Sequence, residues 1–338
     1  MSEARAFIAG LPKAELHVHL VGSASVDTVL QLARKHPEGG VPTEQGELER
    51  FYQFHDFAHF IAVYIAVNGL VRTADDVEAL TFGVAGDLAA QQVRYAEVTV
   101  TPDSHLLLGI EPDGLAAALN SARKRARDVL GIELAWIFDI PGELGITSGE
   151  RTINWVERFA PAGSVGFGLG GPEVGVPRAQ FAEVFARARA LGLASVPHAG
   201  EITGPETIWE SIRELGAQRI GHGISAIRDP VLMAYLVDHG IALDVGPTSN
   251  VCTRAVADLA SHPLPDLIRA GVIVTVNSDD PGMFSTSLNR EYMLVHQSMG
   301  LSLDDLTEVA RAAVRVSFCS ADLRQRLLAE IDAYAGPG

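Results

Sequence analysis

Two histidines one residue apart, His17 and His19 in Glu15-Leu-His-Val-His-Leu20, leave the same face of an extended strand, because strand side chains alternate with a period of two. The same residue types recur far along the chain, in Pro197-His198-Ala-Gly-Glu201, Gly221-His222-Gly223 and Ser278-Asp279-Asp280-Pro281. One such pair is adequately explained by packing, but recurrence at several strand ends calls for a common cause. Three neutral imidazoles and one carboxylate suit a borderline divalent ion such as Zn²⁺. The chain has only two cysteines, Cys252 and Cys319, with no C-x-x-C pair. A thiolate zinc site and a disulfide framework are therefore excluded, and any metal is left to His and carboxylate.

The elements that must bring these groups together are visible in the hydrophobic pattern. Short β-rich apolar runs at 14–20, 94–100, 132–138, 165–169, 194–198, 219–221, 241–245 and 272–276 alternate with amphipathic helical stretches at 26–35, 75–91, 115–130, 178–191, 207–215 and 230–239. Eight strand–helix units predict an α/β fold, a parallel sheet closed into a (β/α)₈ TIM barrel, with the chemistry-bearing residues at C-terminal strand ends. Between residues 37 and 69 a helical insertion takes the place of the expected second strand, and its aromatic-rich stretch at 51–61 either packs on the core or covers a pocket. Extra C-terminal helices are expected at 302–313 and 321–334. With no internal repeat or linker, residues 1–338 are expected to form a single domain.

The bulk numbers narrow the partners. Twenty-six basic against 42 acidic residues give a formal net charge of -16, which repels nucleic acid and anionic membrane surfaces. No stretch reaches the ~18 apolar residues of a membrane span and no export signal opens the chain, so a cytoplasmic protein acting on a small molecule is expected, with its oligomeric state open. Gly166-Phe-Gly-Leu-Gly-Gly171 satisfies G-x-G-x-x-G, but Pro172 and Pro177 follow, so no helix N-terminus stands ready for a pyrophosphate and a dinucleotide fold is rejected.

The ordered set His17-Val-His19-Leu-Val-Gly22, His198-Ala-Gly-Glu201, Gly221-His222-Gly223, Pro247-Thr-Ser-Asn250 and Ser278-Asp279-Asp280-Pro281 resembles the motifs of the adenosine deaminase family of the amidohydrolase superfamily, across nearly the whole chain. The resemblance implies one zinc per chain, or Fe²⁺ in its place, bound by His17, His19, His198 and Asp279. It implies that Glu201 gives a proton to purine N1, that His222 orients and stabilises the attacking hydroxide, and that Asp279 also accepts a proton. The backbone N–H of Gly171 would meet purine N3 and Asp280 would meet N7. These roles suit the chemistry: attack at C6 of an aminopurine loads negative charge onto N1, and a carboxylic acid kept protonated by burial can neutralise it.

Adenosine-specific members carry an acidic residue where this chain has Val21, and an apolar side chain cannot accept a hydrogen bond from the ribose 5′-hydroxyl. Leu20-Val-Gly-Ser-Ala-Ser25 and Val98-Thr-Val-Thr-Pro-Asp-Ser-His105 resemble the branch acting on 6-aminodeoxyfutalosine in menaquinone biosynthesis, whose substrate bears a carboxylated aromatic group at the 5′ end. Arg254, Arg290, Thr101 and Ser104 are the unranked candidates for that carboxylate. The alternatives are an adenosine or adenine deaminase, a purine-binding barrel without catalysis, and a binuclear amidohydrolase. The last usually needs a bridging carboxylated lysine, and no lysine follows Lys124.

Overall fold

A computed structural model describes residues 3–54 and 57–336. His55 and Asp56, in the middle of the aromatic stretch, lie outside the described residues. All eight expected strands form: β1 (Lys13–His19), β2 (Val93–Val100), β3 (Glu133–Pro141), β4 (Ser164–Gly170), β5 (Ala194–Ala199), β6 (Arg219–His222), β7 (Ala242–Val245) and β8 (Val274–Val276). They are parallel and pair in sequence order. Their near-complete burial reflects a sheet covered outside by helices and filled inside by its own side chains.

The ring closes just beyond β8. Asp279 N–H donates to the His17 carbonyl (3.0 Å) and His19 N–H to the Asp279 carbonyl (2.9 Å), a parallel bridge that places Val18 beside Asp279. Side chains extend this seam: Asn277 Oδ1 accepts from Leu16 N–H (3.0 Å) and Glu15 Oε1 from Ser278 N–H (2.8 Å). Burial pushes the Glu15 carboxyl well above the usual carboxylate range, while its hydrogen bond from Ser278 opposes the rise.

Several elements differ from expectation, among them the helix Leu288–Met299, which the hydrophobic pattern did not reveal. The stretch read as one helix over 178–191 opens as a 3₁₀ turn, Arg178–Phe181, before the α-helix Ala182–Ala190. The helix Gly145–Phe159, packed on β3, was not anticipated, because its glycine-containing start hides the apolar stripe Ile153, Trp155 and Val156. The insertion is helical as expected, with Gln45–Phe51 and Phe57–Asn68, and the C-terminal helices are Leu303–Val316 and Ala321–Ala335. Ser302 opens the former with a capping box to Asp305, satisfying two otherwise orphaned backbone donors.

The glycine-rich run now has a steric explanation. A Cβ at Gly166 would stand 3.0 Å from Ile137 Cγ1, one at Gly168 would meet the Val196 carbonyl at 3.1 Å, and one at Gly170 would press on Asp139 Oδ2 at 2.7 Å. Small residues on β4 make room inside the barrel rather than cradling a phosphate.

Below the site, Arg219 is buried between two carboxylates, with Nη2 2.5 Å from Glu97 Oε2 and Nε 2.5 Å from Asp244 Oδ2. Tyr95 Oη and Phe318 N–H also donate to Glu97, and Thr275 Oγ1 to Asp244, so the charges are paired and their remaining lone pairs used. Removing the cation would strand two buried anions. Arg219→Ala is expected to cost about 3–5 kcal/mol, read as a drop in the urea midpoint of the purified protein; a loss below about 1 kcal/mol would show that water replaces the guanidinium.

Candidate active site

The C-terminal ends of β1, β5 and β8 bring His17, His19, His198 and Asp279 together, with one ligand atom from each within 4.8 Å of all the others. Asp279 Oδ1 lies 3.3 Å from both His17 Nε2 and His19 Nε2, and His19 Nε2 lies 3.2 Å from His198 Nε2. A tetrahedral ion with donors at ~2.1 Å holds them about 3.4 Å apart, so the spacing fits one divalent metal. His17 Nε2 is buried without a hydrogen-bond partner, a cost that coordination would remove. Burial also lowers the pKa of His17 and, more strongly, of His198, favouring the unprotonated nitrogens a cation needs. His19 shifts the other way, to about 10, because the charges of Asp280 and Asp279 outweigh its burial; a metal therefore has to displace a proton there.

Backbone strain marks the same place. His222 (φ 61°) and Asp279 (φ 62°) adopt the left-handed conformation, uncommon for side-chain-bearing residues, and costs of this kind persist where surrounding structure enforces them. Pairing of β5 with β6 sets His198 beside Gly221 and Ala199 beside His222. A Cβ at Gly221 would lie 2.8 Å from His17 Cε1, so the glycine before His222 is the space occupied by a ligand's ring.

Above the ligands, His222 Nε2 faces Glu201 Oε2 at 3.6 Å and Asp279 Oδ2 at 3.9 Å. Burial, then the negative charge of Asp279, pushes the Glu201 carboxyl up to about 7, while a hydrogen bond from Thr253 opposes the rise. Glu201 Oε1 accepts from Thr253 Oγ1 (2.7 Å) and Asn250 Nδ2 (3.4 Å). The loop carrying it is pinned by Glu173, whose Oε2 accepts from Ile202 N–H (2.8 Å) and Thr203 N–H (3.1 Å). Glu173 follows Gly171 by two residues, so the Gly-Gly-Pro-Glu segment bears on the acid as well as on the cleft.

These groups form the floor of a cleft that also takes in Gly171 and Asp280. Gly171 has φ 78°, and a Cβ there would collide with Glu143 Oε2 at 2.3 Å. Asp280 Oδ1 is buried and unpartnered, and burial with the Asp279 charge raises its pKa well above the ordinary range. The outer end is walled by Phe60, Tyr64 and Phe284, with Phe60 and Phe284 stacked at a 5.0 Å centroid distance. The aromatic stretch of the insertion thus both packs and lines the cleft.

Val21 does not join this lining. It is 4% exposed and belongs to the hydrophobic core. Thr101 and Ser104 do line the cleft, whereas Arg254 and Arg290 are exposed outside it, Arg290 bonding the Ser285 carbonyl at 2.9 Å. Several lining residues escaped the sequence reading, among them Tyr64, Asn68, Phe284, Asp139 and Thr253. Asp139, near the C-terminal end of β3, accepts from Thr101 Oγ1 at 2.6 Å; Thr253 holds Glu201. A lone aspartate near the end of an apolar strand was the available signal for Asp139, and nothing in the local sequence marked Thr253.

Fold and site together define a metal-dependent hydrolase built on a (β/α)₈ barrel, with three histidines and an aspartate clustered as a site for one divalent ion. The adenosine deaminase family model matches residues 12–334, and the chain belongs to that family. It is 53% identical over 330 residues to the aminodeoxyfutalosine deaminase of Streptomyces avermitilis, covering 97% of this chain and 92% of that protein. It is 36% identical to the adenine deaminase of Streptomyces coelicolor, over 97% and 96% of the two chains. The crystal structure of adenine deaminase from Arthrobacter aurescens superposes with a TM-score of 0.92 at 28% identity, covering 97% of this chain and all of that one.

Purified protein is expected to carry about one zinc or iron ion per chain. His17→Ala should fall below about 0.1 by elemental analysis and lose turnover in step. Full turnover after complete chelation would remove the metal from the chemistry.

Proposed function

We propose that this protein hydrolyses a 6-aminopurine nucleoside with a 5′-modification, 6-aminodeoxyfutalosine, to the 6-oxo product and ammonia, a step of menaquinone biosynthesis. The observation that carries the reading is a carboxyl group, Glu201, raised to about 7 and facing His222 directly beside the His17, His19, His198 and Asp279 cluster. A divalent ion bound there supplies a nucleophile near neutral pH by lowering the pKa of coordinated water towards ~7.

The residues do the rest. Asp279 offers Oδ1 to the ligand cluster and keeps Oδ2 on the His222 side, where it accepts a proton from the attacking water. Glu201, protonated below about pH 7, gives its proton to N1 as the water oxygen adds to C6 and the ring loses aromaticity. The nucleophile's proton then passes from Asp279 to the departing amine, and as the adduct collapses with loss of ammonia the proton left on the C6 oxygen returns to Glu201, leaving C6=O and N1–H in the product. His222 Nε2–H stabilises the oxygen at C6 as a fixed donor. Gly171 N–H and the protonated carboxyl of Asp280 are suited to hold N3 and N7 in register.

The 5′ substituent fits the outer end of the cleft. Phe60, Tyr64 and Phe284 offer an aromatic wall, Ser104 and Asn68 offer donors to a carboxylate, and among the described residues no lysine or arginine lines the cleft. The relationship to the Streptomyces avermitilis aminodeoxyfutalosine deaminase, well above that to adenine deaminase, supports the same choice. We further infer one domain over residues 1–338 and a cytoplasmic location; among the described residues no helix is long and apolar enough to cross a membrane.

An ammonia-release panel of adenine, adenosine, methylthioadenosine and aminodeoxyfutalosine tests the substrate. We expect kcat/KM at least about 10-fold higher for the aryl-extended nucleoside than for adenosine, and Phe60→Ala to shrink that ratio by raising KM for the former. A preference for adenosine or adenine would transfer the reading to the alternative deaminases. Glu201→Gln should keep its metal and lose about 10²-fold or more in kcat, since an amide has no acidic proton for N1; normal turnover in that variant would place the acid elsewhere.

A further inference from the structure

We propose that the side-chain amide of Asn250, its orientation fixed by His262, decides which atom of His222 and which atom of Glu201 carries a proton. Asn250 and His262 are then positioning residues for the deamination proposed above, on which this inference rests. The argument starts from a group with no choice. Leu264 N–H can only donate, and it lies 3.1 Å from His262 Nδ1, so that nitrogen presents its lone pair. Neutral His262 therefore carries its proton on Nε2, which stands 3.2 Å from Asn250 Oδ1. The amide oxygen is thereby committed, and the NH₂ end faces the active site.

That end meets two acceptors. Asn250 Nδ2 lies 3.1 Å from His222 Nδ1 and 3.4 Å from Glu201 Oε1. His222 Nδ1 must then be unprotonated, which leaves the ring proton on Nε2, the nitrogen facing Glu201 Oε2 and Asp279 Oδ2. Glu201 Oε1 already accepts from Thr253 Oγ1 at 2.7 Å, so with the amide it has two donors, and the acidic proton belongs on Oε2. One amide thus aims both protons toward the reacting centre. Asn250 and His262 are buried, at 0% and 4% exposure, so water does not readily substitute for either.

The test is spectroscopic and kinetic, on metal-loaded protein. Long-range ¹H–¹⁵N correlation of histidine-labelled enzyme, with His222 assigned by its absence from a His222→Ala sample, should show a proton on Nε2 and a bare Nδ1. Asn250→Asp keeps the shape but offers an acceptor to Nδ1; it should move the proton to Nδ1 and lower kcat by about 10²-fold or more, with KM changed less than about 3-fold. A purely packing role predicts that Asn250→Asp is milder than Asn250→Ala, and the inference predicts that it is at least as slow. A second pair guards against misfolding at position 250: His262→Gln, which retains a donor for Oδ1, should be at least about 10-fold faster than His262→Phe. Wild-type His222 protonated on Nδ1, or equal rates for the two His262 variants, would overturn the inference even in an active deaminase. An inactive wild-type enzyme with the expected spectrum would overturn the reaction instead.

Discussion

The seam that closes the barrel is made by the backbone of the residues whose side chains form the ligand cluster. Asp279 donates to the carbonyl of His17 and accepts from the amide of His19, so the last strand joins the first at the point where three donor side chains must converge. Closure and site geometry are one constraint: a register slip at this seam would turn the ligands to the wrong face of the sheet. The neighbouring bonds, Leu16 to Asn277 and Glu15 to Ser278, hold that register from below, and all four are sheltered from solvent.

Several otherwise unfavourable features become consistent around this seam. His222, at the end of β6, and Asp279, in the turn after β8, hold left-handed backbone at the two places where their side chains enter the site. Gly221 leaves the volume that the His17 ring fills. Arg219 gathers two buried carboxylates beneath the floor, so that both acids below the site have a cationic partner independently of any ion above it. The result is a rigid base, on which a carboxyl raised to about 7 and an imidazole of defined orientation can be kept within hydrogen-bonding range of a substrate.

Much of this was legible in the sequence, and the reasons differ by element. The eight strands could be read because a covered parallel sheet requires continuous apolar runs, and His17, His19, His198 and Asp279 because imidazole and carboxylate at strand ends have few other uses. What could not be read depended on through-space partners. Asn250 was part of a motif, but its bonds join the helix Pro247–Cys252 to His222 at the end of β6 and to His262 in the loop that follows. Asp139 and Thr253 gain meaning only from Thr101 and Glu201 across the cleft. Val21 misled because its place beside His19 and Leu20 suggests the cleft, whereas the chain turns there and the side chain packs into the core. The helix Gly145–Phe159 was obscured by the residues that start it.

Because the donors come from β1 and from the turn after β8, with Leu16 and Asn277 separated by 261 positions, the chain holds no complete ion site until nearly all of it has been synthesised. His17 and His19 leave the ribosome first and wait, as a bare pair, for a partner that arrives last. Non-local closure of this kind is slow, so the ion site is completed at the end of folding rather than at its beginning, by a seam of hydrogen bonds that is itself made without the ion.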